Sequence, residues 1–374
     1  MEIGVVVHGP NIIDSGYAKT IMDLLNSWGN VSARLGGTMG RTAVIDSSLE
    51  GIIDISKKLV PSESLKLFND ENKDIIFLLN YGKSHVTGQV FGYKVVNHYF
   101  DKIENNHIPL IQIERPGEED GSVIVWDGEA DNIADEIASE FNLNKVNPDE
   151  IYEAHFKDDS NDNMAHRIVH GVSPNENIMV NSVVIGKSTS DKVVLIAEDG
   201  YIVDIVGGVL KPHGVEKLSK IDLKSAIIKT GLLRKSDVNP RILEREQNNG
   251  SFKIAFVDHA GEDIYKYKDA DLVVTIGDDT TLISSDILYR FEIPIIGITD
   301  GDLDKVVEHG FKTPGSIIFE VESGFDDIVG GKIFDEIFNN APVLEFDNPE
   351  DFNIRNAIIE ILYNMNCKYK LKVI

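Results

Sequence analysis

Two acidic loops in the second half of the sequence contain the residue types that hold a divalent cation and a phosphate group. The first loop, residues 277–281, is Gly-Asp-Asp-Thr-Thr and follows the apolar run 272–276. The second loop, residues 299–304, is Thr-Asp-Gly-Asp-Leu-Asp and follows the apolar run 294–298. Carboxylate oxygens are ligands that Mg²⁺ prefers, and the N–H groups at the start of a helix attract phosphate. The two loops therefore predict a metal-assisted phosphate site.

We assign roles to the residues of these loops by their chemistry. The predicted metal ligands are Asp278, Asp279, Asp300 and Asp302. The predicted contacts to a phosphate or cofactor are Gly277, Thr280, Thr281 and Gly301. The predicted catalytic residues are Asp279 and His259. The alternative is that one Asp or Thr caps a helix and that the other side chains are solvated.

Two glycine-containing loops in the first half could hold an oxyanion. His8-Gly9-Pro10 follows the apolar run 3–7, and the Gly-rich loop 36–42 follows the run 31–35. Backbone N–H groups together with a fixed cation can form a phosphate cradle. The residues predicted to bind the cofactor here are Gly9, Gly37, Gly40 and Arg41. A flexible turn is the alternative for the loop, and His8 is either an acid–base group or a core histidine at a strand end.

Other polar residues could line the same crevices. Lys83 and His85 follow the apolar run that ends at Leu79-Asn80, so they are candidates for the strand-end crevice of the first half. A basic group later in the chain contains Arg234 and Lys235. It could supply phosphate contacts, or it could lie on solvated helix surface.

The order of these runs predicts the fold class. Apolar strand-like runs alternate with amphipathic helices in both halves, which is typical of a mostly parallel α/β sheet. Between the halves lie short β-rich runs at 178–185, 192–197 and 201–206, separated by Gly, Ser and Asp turns. We therefore predict two mostly parallel Rossmann-like α/β lobes with a small antiparallel β module between them. The predicted domains are an N-terminal α/β domain at 1–147, a linker at 148–163, a β-rich module at 164–221 and a C-terminal α/β domain at 222–374.

Composition limits the classes of partner. The 374 residues contain 62 acidic and 36 basic side chains, a formal net charge of −26. This charge disfavours nucleic acids and anionic membranes, which are bound mainly through Lys and Arg. The single cysteine, Cys367, excludes an internal disulfide framework. With no signal-peptide pattern and no membrane-length apolar run, we expect a cytoplasmic protein with a small-molecule ligand; a homo-oligomer is left open.

The two acidic loops locally resemble NAD-kinase and diacylglycerol-kinase type folds. In those folds a strand is followed by Gly-Gly-Asp-Gly-Thr and a helix, and a later strand has the pattern Pro-x-x-Gly-Ile-Asn-x-Gly. The matching segments here are 277–281 and 294–301, and the resemblance implies that Asp279 is the reactive Asp. Asp278 and Thr280 replace two of the glycines, so their Cβ atoms would restrict the close approach of a diphosphate.

Most of the chain resembles a protein family of methanogenic archaea, domain of unknown function 2117. The stretches that carry the resemblance are 8–10 with 14–16, 41–46, 277–281 and 296–302. The resemblance implies an archaeal cytoplasmic protein and assigns no catalytic residue.

Together these features predict a protein that binds a nucleotide or another phosphorylated small molecule with Mg²⁺. If it is an enzyme, the expected reaction is phosphoryl or nucleotidyl transfer, in which positioning and metal charge supply much of the catalysis. The alternative is a non-catalytic ligand-binding regulator or assembly factor, because a fold does not determine a function.

Overall fold

The computed structural model describes residues 1–37, 40–103, 108–157, 164–181, 183–231, 233–244, 251–259, 263–301, 309–348 and 352–374. This described chain divides into two compact units, unit 1 at Met1–Val238 and unit 2 at Asn239–Ile374. Each unit contains a mostly parallel sheet covered by helices, and unit 1 also contains small antiparallel sheets. The predicted fold class is confirmed.

Unit 1 begins with a Rossmann-like α/β lobe. Its strands are β1 Glu2–His8, β2 Asn30–Gly36, β3 Ile53–Leu59, β4 Ile75–Asn80, β5 Leu110–Glu114, β6 Ser122–Asp127 and β7 Asn144–Val146. Its helices are α1 Asn11–Asp14, α2 Tyr17–Trp28, α3 Gly40–Asp46, α4 Pro61–Asp70, α5 His85–Phe100, α6 Asp131–Phe141 and α7 Pro148–His155. Within the described residues the strand order is β3-β2-β1-β4-β5-β6-β7, in which β5 and β6 pair antiparallel and the other pairs are parallel.

The strands of this lobe are apolar on both faces because helices cover both. On one face Val5 and Val7 of β1 pack with Ile21 and Leu25 of α2. On the other face, Val6 and Leu78 pack against helices α4 and α5. Continuous apolar strands of this kind are typical of a parallel sheet inside an α/β lobe. Chain order and strand order together place the change in winding direction between β1 and β4.

The antiparallel module follows in unit 1. Its strands are β8 Met164–Val169, β9 Asn177–Val180, β10 Val183–Ser188, β11 Val193–Glu198, β12 Tyr201–Val206, β13 Gly208–Leu210 and β14 Ile228–Thr230, and its helix is α8 Pro212–Lys217. In the described part of the module the sheet orders are β12-β11-β8 and β13-β10-β9-β14. The segment 178–185, predicted as one run, is divided between β9 and β10, and the chain turns at Asn181 with φ +47°.

Two segments have more structure than their sequence suggests. The segment 148–163, predicted as a linker, contains α7, which the Asn147 side chain caps by accepting the Asp149 N–H at 2.9 Å; residues 158–163 lie outside the described ranges. Strand β14 lies beyond residue 221, where the module is predicted to end, and it pairs with β9. A three-residue strand without its partner has too little pattern to be recognised. The domain boundaries themselves stay predictions.

Unit 2 is a second α/β layer structure. Its strands are β15 Phe252–Val257, β16 Leu272–Ile276, β17 Ile295–Thr299, β18 Ile317–Val321, β19 Val343–Phe346 and β20 Tyr369–Val373, and its helices are α9 Asp278–Leu288, α10 Asp326–Glu336 and α11 Ile354–Asn364. For the described residues the strand order is β19-β15-β16-β17-β18-β20; β15 to β18 are parallel, and β19 and β20 pair antiparallel at the edges.

Helices α9 and α10 lie close to the unit 2 sheet. A Cβ on Gly297 of β17 would lie 2.5 Å from Thr281 of α9. A Cβ on Gly330 of α10 would lie 2.7 Å from Ile276 of β16. Both glycines therefore permit a helix–strand approach that a larger residue would prevent. Within the described ranges, every helix is too short or too polar to span a lipid bilayer.

Candidate functional site

The carboxyl ends of β16, β17 and β18 meet at one edge of the unit 2 sheet. The register pairs Ile276 with Ile298, and Thr299 with Glu320, so the segments that follow these strands begin at a similar height. Several residues of these segments are acidic, and we name them the acidic edge: Asp278, Asp279, Asp300, Asp326 and Asp327. Ligands of open α/β sheets bind in the crevice outside such strand ends.

Helix α9 begins directly after β16. Gly277 has φ +87°, in the left-handed region that favours glycine. The Thr281 N–H donates to the Gly277 carbonyl at 3.0 Å. The N–H groups of residues 278–280 therefore belong to the first turn of the helix, ahead of its first i to i−4 hydrogen bond. The Thr281 hydroxyl lies 2.8 Å from that of Thr275 in the buried interior. The Thr281 hydroxyl is therefore not exposed to a ligand, and Thr281 lies at the helix start only through its backbone. The neighbouring Thr280 is 6% exposed.

The loop between β18 and α10 brings a further carboxylate to the acidic edge. Asp300 accepts a hydrogen bond from the Gly324 N–H at 2.6 Å. Asp326 Oδ2 lies 3.8 Å from the position that a Cβ on Gly277 would occupy. Burial raises the pKa of Asp326, and the negative charges of Asp300 and Asp327 raise it further. The sequence patterns did not single out Asp326, which lies five residues after the end of β18, whereas Asp300 directly follows β17.

The acidic edge offers a small set of metal donors. Within the described ranges no group of three or more His, Cys, Asp or Glu side chains could hold a metal ion by itself. Asp302, one of the predicted ligands, lies outside these ranges. Mg²⁺ in phosphate sites is commonly held by one or two carboxylates, with water and the substrate's phosphate completing its shell. Asp300 and Asp326, close to the start of α9, fit that pattern.

The other predicted residues of unit 2 lie at or near the same edge. His259 is exposed and follows β15, whose Val257 is in register with Thr275 of β16. Gly301 is exposed, and no atom of the described residues lies within 4 Å of the place where its Cβ would be. The structure thus places His259 after β15 and Gly301 after β17, two parallel strands with β16 between them, and shows no contact between the two residues.

In unit 1, polar side chains lie side by side near the carboxyl ends of the central strands. We name His8, Asn80, Gln112 and Glu114 the polar row. The register pairs His8 with Asn80, and Asn80 with Glu114. His8 Nδ1 lies 2.7 Å from Asn80 Oδ1, and Asn80 Nδ2 donates to Glu114 at 2.7 Å. The row is therefore connected from β1 through β4 to β5.

Helix α5 covers the polar row with glycines. A Cβ on Gly88 would lie 2.1 Å from the Glu114 carboxyl carbon, and a Cβ on Gly92 would lie 1.8 Å from Gln112 Oε1. Glu114 and Gln112 are both fully buried. Burial raises the pKa of Glu114 to about 7, against the effect of the hydrogen bonds that it accepts. A carboxyl that titrates near neutral pH at a strand end is a feature found at functional sites. The sequence patterns alone did not single out Glu114.

His8 is partly buried and neutral at physiological pH. Burial and, to a lesser extent, the positive charge of Lys229 lower its pKa to about 4, against the effect of the hydrogen bond to Asn80. The ring stacks on Phe91 of α5, with centroids 3.9 Å apart. The structure thus places His8 in a hydrogen-bonded strand-end network.

The predicted glycine loops of unit 1 lie beside one another. Gly9 and Gly37 have φ values of +79° and +102° and are partly exposed. Gly40 is buried, and a Cβ there would lie 3.2 Å from the Gly9 carbonyl oxygen. Arg41 is only 1% exposed, so its guanidinium lies inside the unit rather than on an open loop. Residues 38 and 39 of the predicted cradle lie outside the described ranges.

The other basic candidates of unit 1 make intramolecular contacts. Lys83 donates to the Gly171 carbonyl at 2.8 Å and also binds Thr230, and so joins the α/β lobe to the module. His85 lies 3.3 Å from an oxygen of Asp120. Lys235 pairs with Glu176. These contacts indicate a structural role for the three side chains rather than a role in ligand binding.

Comparison with known proteins identifies the family. Residues 5–341 match the family described as "Uncharacterized protein conserved in archaea (DUF2117)". The chain belongs to this family. It is 50% identical over 342 residues to "Uncharacterized protein MJ0065" of Methanocaldococcus jannaschii, an alignment that covers 88% of this chain and 90% of that protein. No solved structure matches the chain. The resemblance to NAD-kinase type folds stays a prediction.

Two stretches on which the resemblance to the archaeal family rests meet at one residue in the structure. Arg234 donates to Asp14 at 2.8 Å and to Asp46 at 2.5 Å. Asp14 ends α1 and Asp46 ends α3, and the Arg234 side chain is only 3% exposed. This basic residue, a candidate for phosphate binding, instead fastens the segment after the module to the α/β lobe.

Proposed function

We propose that the acidic edge of unit 2 binds a nucleotide or another phosphorylated small molecule together with a divalent cation, Mg²⁺ being the expected ion. The observation that supports this most directly is the position of Asp326. Its carboxylate lies 3.8 Å from the place of a Cβ on Gly277, next to the start of α9. A phosphate attracted to this helix start would therefore lie close to Asp326.

The electrostatics of the edge favour a bound cation. A phosphate is attracted by the positive end of α9, but it is repelled by the carboxylates around it. The charges of Asp300 and Asp327 already raise the pKa of Asp326, which means that these carboxylates repel one another. A divalent cation between the phosphate and Asp300 and Asp326 would remove both repulsions. It would supply charge neutralisation at the phosphate, and Gly277 leaves room beside it.

Catalysis at this edge would be phosphoryl or nucleotidyl transfer. His259 and Asp279 remain the residues proposed to move a proton, because they follow neighbouring strands at the edge to which we assign the phosphate. Binding without turnover is the behaviour expected of a ligand-binding regulator. The same titration distinguishes the two when the nucleotide is examined for conversion afterwards.

Isothermal titration calorimetry with pyrophosphate and ATP, each with Mg²⁺ or with EDTA, tests the proposal. We expect binding that requires Mg²⁺, and an affinity at least about tenfold weaker in Asp326→Asn and in Asp300→Asn, because each variant loses a metal ligand. In EDTA the natural protein should not bind either ligand, and any residual binding should be stronger in the two variants, since removing a negative charge from the helix start favours the bare anion.

Asp335→Asn is the matched control, since Asp335 is exposed on the last turns of α10. It should bind both ligands as the natural protein does. The proposal fails if the natural protein shows no Mg²⁺-dependent binding, or if Asp326→Asn and Asp335→Asn behave alike in both solutions.

A further inference from the structure

The hydrogen bonds of the polar row determine how the Gln112 amide is oriented. Trp126 Nε1 can only donate, and it lies 3.0 Å from Gln112 Oε1. Gln112 Nε2 lies 3.2 Å from the Gly88 carbonyl oxygen, which can only accept. The amide NH₂ group of Gln112 therefore faces Gly88 and also Glu114, to which it donates at 2.8 Å.

Glu114 transmits this orientation to Asn80. Every hydrogen-bond partner that the described residues give Glu114 is a donor: the Gly82 N–H at 2.6 Å, the Gln112 amide and the Asn80 amide. Above its pKa of about 7, Glu114 is a carboxylate and can only accept. Asn80 must then present its NH₂ group to Glu114 and its carbonyl oxygen to His8.

This arrangement assigns the tautomer of His8. Asn80 Oδ1 is an acceptor 2.7 Å from His8 Nδ1, so the imidazole proton lies on Nδ1. Nε2 then carries a lone pair and acts as an acceptor. Among the described residues, none forms a hydrogen bond with Nε2.

Gly37 lies beside Nε2, and Gly9 follows His8 in the chain. A Cβ on Gly37 would lie 3.9 Å from Nε2, and none of the described atoms lies within 4 Å of the Cβ position of Gly9. The ring itself is held by its stacking on Phe91. A small ligand can therefore approach the acceptor nitrogen at the carboxyl edge of the sheet, near the change of winding direction between β1 and β4.

A cation of the module lies within electrostatic range of His8. Lys229 lies in the middle of β14, and its neighbour Thr230 is held by Lys83 of the α/β lobe. The Lys229 residue is exposed, and its charge is close enough to His8 to contribute to the lowered pKa of the imidazole. In the part of the chain that the structure describes, the Lys229 ammonium has neither a hydrogen bond nor an ion pair.

We propose that His8 Nε2 and the Lys229 ammonium form an anion site in unit 1 that selects an oxyanion carrying a proton, hydrogen phosphate being the simplest. The ammonium attracts the negative charge, and Nε2 accepts the hydrogen of the P–OH group. Sulfate has nearly the same shape, and at pH 8 the same charge, but it has no proton to donate, so the lone pair of Nε2 repels it. This site is separate from the proposed function of unit 2 and does not depend on it.

Calorimetry at pH 8 with inorganic phosphate, sulfate and methyl phosphate tests the proposal. At that pH hydrogen phosphate retains one P–OH group, whereas a phosphate monoester, with a second pKa of about 6, does not. We expect inorganic phosphate to bind at least about tenfold more tightly than sulfate or methyl phosphate. Methyl phosphate binding as tightly as inorganic phosphate would overturn the requirement for a proton.

Variants assign the selectivity to the two residues. Lys229→Met should weaken phosphate binding at least about tenfold, while Lys192→Met, at an exposed lysine of the same module, should leave it unchanged. His8→Gln offers an amide donor, so the ratio of phosphate to sulfate affinity should fall toward one. Equal binding of phosphate and sulfate by the natural protein would overturn the proposal.

A measurement on the natural protein serves where a variant fails to fold. In a protein with ¹⁵N-labelled histidines at pH 8, the His8 spectrum should show the proton on Nδ1. Phosphate, but not sulfate, should shift the Nε2 resonance. A proton on Nε2 would contradict the tautomer on which the site depends.

Discussion

His8 ends the apolar strand β1, and Asp326 comes after the apolar strand β18. Burial changes the proton affinity of each. Burial lowers the pKa of His8 to about 4, whereas burial and neighbouring carboxylates raise the pKa of Asp326. In both cases the uncharged form is favoured, because a partly buried charge loses hydration. The sequence indicates where these residues stand along the chain, but the direction of each pKa change depends on what packs around the side chain.

The pKa of His8 predicts how stability depends on pH. Because the folded pKa of about 4 lies below the ordinary value of 6.5, the contribution of neutral His8 is fully present above pH 6.5 and is lost as the pH falls toward 4. At 1.36 kcal/mol per pH unit, the loss is up to about 3 kcal/mol. The raised pKa of Glu114 has the opposite effect, because its contribution to stability is lost as the pH rises toward 7. The natural protein must therefore be compared with a variant that retains Glu114.

Urea denaturation of the natural protein and of His8→Gln, at several values between pH 8 and pH 4, measures this contribution. The difference between their free energies of unfolding should be constant above pH 7 and should change in favour of the variant below pH 6.5. Parallel curves across the whole range would contradict a buried neutral histidine.

Asp326 gives a second stability prediction, this time for an acidic residue. Because its raised pKa means that ionisation is unfavourable in the folded protein, Asp326→Asn should stabilise unit 2 at pH 7 in EDTA, by about 0.5 to 1 kcal/mol. Thermal denaturation with and without Mg²⁺ measures the effect. Mg²⁺ should remove the advantage of the variant, and a variant that is less stable in EDTA would argue against repulsion at the acidic edge.

At the scale of elements, helix α5 shows how closely a helix can be fitted to a polar part of a sheet. Its residues 88 and 92 are glycines one turn apart, and each faces a buried polar side chain of β5. Glycine inside a helix costs stability relative to alanine, by about 1 kcal/mol. Here the cost is offset by the space that it leaves for Glu114 and Gln112.

Gly88→Ala should destabilise the protein by about 1 to 3 kcal/mol, despite the better helix propensity of alanine. The added methyl group would lie 2.1 Å from the Glu114 carboxyl carbon, so the helix or the polar row must shift. Gly331→Ala is the control, because residue 331 is inside α10 and none of the described atoms lies within 4 Å of its Cβ position. Thermal denaturation should show a gain for the control and a loss for Gly88→Ala; a gain for both would contradict the close approach of α5.

Elements with a strong periodic pattern were predictable, and short or polar ones were not. Strands β1 and β16 are continuous apolar runs with turn residues after them, so local chemistry identifies them. Helix α7 lies in a polar stretch that was predicted to be a linker, and β14 has only three residues. A short strand is stabilised by its partner in the sheet, and the partner is distant in sequence.

At the scale of the whole molecule, a buried ion group joins parts of unit 1 that are far apart in the chain. Arg234 is separated by 220 residues from Asp14 and by 188 from Asp46, and the Asp46 side chain is fully buried. Burying these charges is acceptable because they are paired and hydrogen-bonded. The carboxylates hold the segment after the module against α1 and α3.

Arg234→Met should lower the free energy of unfolding of unit 1 by about 3 to 5 kcal/mol, since it leaves Asp14 and Asp46 without their shared cation. Lys192→Met, at an exposed position in the same unit, should change stability by less than about 0.5 kcal/mol. Guanidinium denaturation of both variants is the measurement. A loss below about 1 kcal/mol for Arg234→Met would show that the group contributes little.

The sequence by itself determined the fold class, the strand ends that carry glycine and acidic loops, and the large negative charge that disfavours polyanionic partners. Each of these depends on composition or on patterns within about ten residues, because side-chain periodicity and turn chemistry are local. Only the tertiary structure placed Asp326 near Gly277 and connected His8 to Glu114 through Asn80. It also decided that Arg234 pairs with Asp14 and Asp46. Those contacts join residues from different elements, and they depend on the order of strands and on which helix covers which face, which local patterns do not encode.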